Sequence, residues 1–343
     1  MNETTKKLRE WAVNKIKTEY PDDIALLLAV DGISVNCDGH GEGFDYYVPL
    51  TERGNELGAS FIIDGVGFDL YPRSWERCAH TANLGDNAAF LLRNARIVYS
   101  RSQEDIIKFE QYQSQLNDNL NDKNFMYRKA LEKLDTAMNF YRTLMFEEQL
   151  QKAVVGLGFI EHYMAVIAFL LNGRVYSWWR TYYDELLTLP LIPNNFAMYH
   201  KKMLSVSSVE QCRGLAHSLI YETRKFIAEN KPESADCAKT PDSALADWYC
   251  EMSLQWNRIY HYCKIGDADS AFGDAIILQY ELNIIASEYG FENMDLLSGF
   301  DVANLMSFSD KAKEISERVR AILADNGIKL RSYLTVEEFL SEN

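Results

Sequence analysis

A chain of 343 residues with 47% apolar and 13% aromatic side chains can build two ordinary domains with substantial cores, which excludes a disordered protein. Its 35 Lys and Arg against 50 Asp and Glu give a formal charge of −15. That balance opposes a nucleic-acid track, since neutralising phosphate needs clustered cations; it suits solubility, and it also suits a cationic small molecule.

In chain order, residues 2–20 place Leu8, Trp11, Ala12, Val13 and Ile16 on one side of a predicted helix and its lysines on the other. Pro21, Asp22 and Asp23 break it. The apolar run 24–30 has the length and turn-bounded character of a central strand covered on both faces. A Gly-rich stretch follows, in which Gly39, Gly41 and Gly43 suit either close backbone approach to a ligand or a surface loop. From Gly43 the alternation of Phe44, Tyr46 and Val48 with Asp45, Tyr47 and Pro49 predicts a strand with Asp45 and Tyr47 on one face and the apolar partners on a core. Phe61, Ile62 and Ile63 enter an Asp64-Gly65 hairpin signal, and Val66, Phe68 and Leu70 then alternate with Gly67, Asp69 and Tyr71. If these strands are neighbours, Asp45 and Asp69 lie within reach of one divalent cation, because cross-strand neighbours sit roughly 4.5 to 5.5 Å apart at Cβ.

Ser74 caps a predicted helix at 75–80, a second piece spans 87–94, and 95–100 reads as the last strand. Helices are predicted over 103–114 and 124–153, separated by a polar connection at 115–122, with Glu148 and Lys152 as a helical i,i+4 pair. The apolar run 154–171 is interrupted by Glu161 and His162, whose charge is costly in a bilayer, so it reads as a buried helix rather than a membrane span. Breaks follow at Asn172-Gly173, Pro190, Pro193 and 230–241. Residues 242–290 read as two helices with Trp248, Trp256 and Tyr260 on one side, and a last helix covers 310–326.

Six cysteines, Cys37, Cys78, Cys212, Cys237, Cys250 and Cys263, show no C-x-x-C pair, which fits a reduced cytoplasmic setting. His261 and Cys263 alone make poor zinc ligands. No N-terminal apolar segment reads as a signal peptide.

The order of helix, strand, small-residue turn, strand with an Asp-x-acid pattern and later strand with a single acid resembles the nucleotidyltransferase superfamily, including the aminoglycoside and lincosamide nucleotidyltransferases. The segment FLLNGRVYSWWRTYYDELLTLPLIPNNFAMYHKKML is similar to the accessory helical domain of such proteins. The resemblance implies an α+β fold, with a small mixed-sheet domain at 1–102 followed by a helical-bundle domain at 103–343 and a sub-boundary near 230–241. It implies transfer of a nucleoside monophosphate from ATP or another NTP, with Mg²⁺, to a small hydroxylated acceptor. Asp45 and Asp69 would be the metal carboxylates, Gly32 and Ser34 the phosphate turn, Tyr47 a neighbour of the nucleotide and Arg73 a phosphate clamp. Glu161, ionisable within an apolar helix, is the candidate base.

Two positions depart from the pattern. Ile33 stands where Gly or Ser is expected, and Tyr47 stands where the second carboxylate belongs, which removes a charge and two oxygen ligands. The alternative function is therefore a catalytically degenerate member that binds a nucleotide or a partner protein without turnover.

Overall fold

The structure, a computed structural model, describes residues 3–30, 46–232, 239–292 and 294–342. Helix α1 (Glu3–Glu19) precedes β1 (Ile24–Val30), β2 (Tyr46–Pro49), β3 (Ala59–Ile63) and β4 (Val66–Pro72). Short helices α2 (Trp75–Ala82) and α3 (Ala89–Arg93) lead to β5 (Ala95–Ser100). The strands form one mixed sheet in the order β3-β4-β2-β1-β5, in which only β2 and β4 run parallel. The chain is thus an α+β protein, a mixed five-stranded sheet followed by a mostly helical region.

Strand β1 lies inside the sheet, between β2 and β5, and is buried at every residue, as a continuous apolar run requires when both faces are covered. Leu26, Leu28 and Val30 face one layer, and Leu27 faces the layer containing α1. A register shift between Ile24 and Leu26 puts Ile24 on the α1 side as well. The turn between β3 and β4 follows its residue types, since Asp64 and Gly65 both have positive φ, 48° and 75°. The buried stripe of α1 is Thr5, Arg9, Ala12 and Ile16. Trp11, expected inside, is 40% exposed and packs against Phe61; the helix is rotated relative to the apolar count, and two polar residues, Thr5 and Arg9, complete its inner face.

Helix α4 (Gln103–Asn121) runs through the stretch expected to be a polar connection. Leu116 and Leu120 continue the buried stripe begun at Phe109, and Asn119 donates to the Ala82 carbonyl, so the polar residues there serve a packed helix. The break falls at Asp122, whose carboxylate accepts from the backbone N–H groups of Asn124 and Phe125 and caps α5 (Lys123–Phe146). The single helix expected over 124–153 is two. Glu147 accepts from the N–H groups of Glu148 and Gln149 and turns the chain into α6 (Leu150–Leu171), so Glu148 lies outside the helix that holds Lys152. Then come α7 (Tyr182–Leu186), α8 (Phe196–Met203) and α9 (Val209–Glu229). Helix α6 is long and apolar enough to cross a membrane by length and composition, with mean hydropathy 2.0, yet 61% of that window is buried inside the protein.

The chain divides into two compact units, Met1–Pro232 and Glu233–Asn343. Within the first, one apolar cluster joins sheet residues such as Leu28 and Val48 to Phe109, Leu116, Leu157 and Ile160, so the core continues across residue 102. The second unit is built from α10 (Ser243–Ile265), α11 (Ala268–Tyr289) and α12 (Leu305–Asp325), with a terminal α13 (Val336–Glu342). Its core contains Trp256, Leu278, Leu282, Phe308 and Val319. The four described cysteines, Cys78, Cys212, Cys250 and Cys263, are free thiols.

Candidate functional site

Alternation along β2 sends Tyr46 and Val48 into the layer beneath the helices and Tyr47 into the core on the α1 side. Tyr47 is fully buried, and its hydroxyl donates to the Asn55 carbonyl at 3.0 Å. Burial pushes its phenol up to about 12, so it is a neutral group. On β4, Phe68 and Leu70 join Tyr47's cluster, which leaves Asp69 on the opposite face, beside Tyr71 in the alternation. The expectation that Tyr47 and Asp69 line one face is therefore corrected: in the parallel pairing Tyr46 lies opposite Tyr71 and Tyr47 opposite Pro72, one residue out of phase with a shared Tyr47–Asp69 face. Asp69 is exposed and accepts from Ser60 Oγ at 2.7 Å across the β3–β4 pair. Gly32, Ser34 and Asp45 lie outside the described residues. Among the described residues no group of three His, Cys, Asp or Glu side chains could hold a metal ion.

Arg73 is placed by the end of β4, where its N–H donates to the Tyr47 carbonyl at 2.8 Å. Its guanidinium is 5% exposed, donates to Thr81 Oγ1 at 2.8 Å, lies 3.6 Å from Asp86 and sits 5.4 Å from the centre of the Tyr46 ring. These contacts tie β4 to α2 and the loop after it. A buried cation needs such an acid, and Asp86 also lies 3.6 Å from Arg77. The sequence marks Arg73 as a phosphate clamp; the structure shows its charge committed within the protein.

Glu161 lies on α6 at 1% exposure, with both oxygens engaged. Tyr182 Oη donates to Oε2 at 2.6 Å, and His200 Nδ1 lies 2.8 Å from Oε1. The Tyr183 ring stacks on His200 at 3.6 Å between centres. A carboxylate held this way fixes the orientation of His200 and has no oxygen facing solvent with which to take a proton from an acceptor. His162, the next residue, is enclosed by Tyr163, Tyr176, Trp179 and Tyr182, and neither ring nitrogen has a hydrogen-bond partner. Burial holds it down at about 4, so it is neutral near pH 7.

Sequence reasoning missed His200, Tyr182 and Asp86. The first two lie 39 and 21 residues from Glu161, on separate short helices, and no fixed spacing connects them. Asp86 stands in a loop whose only signal is turn composition. Beside it a cavity of about 20 Å³, lined by Asp86, Asn87, Lys133 and Tyr176 among others, is large enough for one water. Lys133 donates there to the Gly85 carbonyl at 3.3 Å, and its amine is held below the usual lysine range chiefly by burial. Asn87 Oδ1 has no partner, an acceptor that such a water would satisfy.

No protein-family model and no curated protein matches the chain. Among solved structures the chain is similar to a nucleotidyltransferase-like protein from Exiguobacterium sibiricum 255-15, at TM-score 0.34 and 11% identity, covering 64% of this chain and 74% of that one.

Proposed function

We propose that the chain is a nucleotidyltransferase-like protein that holds a nucleotide without transferring it. The support is the element order of helix, strand, Gly-rich stretch and later strands, of which β4 carries Asp69, together with the mixed sheet that the strands form. The observation that carries the loss of turnover is Tyr47. It occupies the position of a metal carboxylate, and its phenol is spent on the Asn55 carbonyl inside a core. Mg²⁺ in a nucleotidyl-transfer site neutralises triphosphate charge through several carboxylate oxygens. The described donors do not fit that role, since Asp69 lies on the opposite face from Tyr47 and is hydrogen-bonded to Ser60. No chemical step is therefore assigned to a metal. The proposed ligand is ATP or another NTP held at Gly32 and Ser34, with Asp45 as the remaining acid, in a cytoplasmic protein.

Calorimetric titration with ATP, with and without Mg²⁺, tests the proposal. Binding in both conditions, with modest strengthening by Mg²⁺ that Asp45→Asn removes and Asp69→Asn leaves intact, is the expected result. Absence of nucleotide binding in either condition would overturn it. The alternative, transfer of a nucleoside monophosphate to an aminoglycoside- or lincosamide-like hydroxyl, requires turnover that both Asp45→Asn and Asp69→Asn abolish.

A further inference from the structure

A second concave site lies wholly within the C-terminal unit, between α10 and α12. Tyr249, Ser253, Trp256, Asn257 and Tyr260 recur at helical spacing on α10 and form one wall. Lys313, Ser316, Glu317 and Arg320 form the other wall on α12, next to the apolar stripe of Ala312, Ile315 and Val319 that packs the helices together. The seam opens because these outer positions carry polar groups in place of apolar ones. The resulting groove encloses about 290 Å³, near the lower end of small-molecule sites.

Three features point to what would fill it. Trp256 is 2% exposed, yet its indole N–H has no hydrogen-bond partner, an uncommon expense for a buried donor. Arg320 has no ion pair or hydrogen bond among the described residues, although the chain carries an excess of acids that could have supplied one. Lys313 stands two helical turns earlier, 3.0 Å from Asp310 and 5.9 Å from the centre of the Tyr260 ring. Tyr249 bonds Ser316 at 2.7 Å across the groove and fixes its width. Glu317 is the one acid in the lining, and with Lys313 already beside Asp310 it is Arg320 that carries the uncommitted positive charge of the groove.

We propose that this groove binds a monophosphate ester carrying a flat ring, such as a nucleoside monophosphate. The ring lies along the aromatic wall, where stacking tolerates any base, and an acceptor on the ligand takes the Trp256 N–H. The phosphate takes Arg320 and Lys313 through charge-assisted hydrogen bonds. The site stands apart from the nucleotide reading of the first unit and does not depend on it.

Fluorine NMR of the full chain labelled with 5-fluorotryptophan provides the test. The chain has six tryptophans, and Trp256→Phe assigns the relevant resonance by its disappearance. AMP is expected to shift that resonance saturably, adenosine to bind about tenfold more weakly, and Arg320→Ala to weaken AMP by about tenfold, in line with the loss of one charged hydrogen bond. The remaining tryptophan resonances report that the variant is folded. Trp256 lies in the C-terminal unit, so its resonance reports on this groove whatever the first unit binds. A Trp256 resonance that AMP does not move, adenosine as tight as AMP, or a response unaltered in Arg320→Ala would each overturn the assignment.

Discussion

Tyr47 and His162 are both neutral, buried and titratable, but they serve different ends. Tyr47 makes its one hydrogen bond, so Tyr47→Phe should cost only about 1 kcal/mol in denaturant unfolding, with ATP affinity unchanged. A fall in ATP affinity would show that the phenol contacts nucleotide. Tyr47→Asp places a charge at a fully buried position and is expected to unfold the first unit rather than restore a metal ligand. His162 makes no hydrogen bond, and its folded-state value of about 4 lies below its ordinary 6.5. Between those values the unfolded chain binds the extra proton, so the stability from neutral His162 is complete above about pH 6.5 and is lost as pH falls toward 4. The slope is at most about 1.4 kcal/mol per pH unit. Urea midpoints of wild type should fall between pH 7 and pH 4 while those of His162→Phe fall less, so the two curves lie closest at neutral pH and separate as pH drops; parallel curves would show that His162 is not the group titrating.

Elements with a strong local signature were legible in the sequence. The seven-residue run of β1 and the Asp64-Gly65 turn each carry their cause in their residue types. Helix α4 was not legible beyond Ser114, because Asn and Asp at 117–119 and 121–122 read as loop, while Leu116 and Leu120 gained their meaning from a core formed by distant residues. The stop before α5 is the Asp122 cap, a signal present in the sequence but lost among similar residues. Asp122→Ala should cost about 1 kcal/mol of stability, and Leu116→Ala about 2 to 5 kcal/mol, measured by chemical denaturation. An equal, negligible effect of both would mean the segment is a surface connection after all. The candidate site was legible to a smaller degree. Asp69 was correctly read as turned away from the Phe68–Leu70 core, but Tyr47 was assigned to its face because the reading assumed a single covered face, and at β2 both faces of the sheet are covered. The Glu161, Tyr182 and His200 cluster draws on three helices, and nothing in sequence spacing joins them.

At the scale of the whole molecule, the core of the first unit ties sheet to helices without a break at residue 102. A fragment of residues 1–102 would uncover Leu26, Leu28, Val30, Tyr46 and Val48, and it should not give a cooperative thermal transition, whereas residues 1–232 should. The central claim is that this architecture holds a nucleotide in a site that no longer transfers it. Pyrophosphate release from ATP with Mg²⁺, in the presence of an aminoglycoside or a lincosamide, tests that most directly. No release above the protein-free rate is predicted for wild type, on the same preparation that binds ATP by calorimetry. Release that Asp45→Asn and Asp69→Asn both abolish would contradict it and establish a working nucleotidyltransferase.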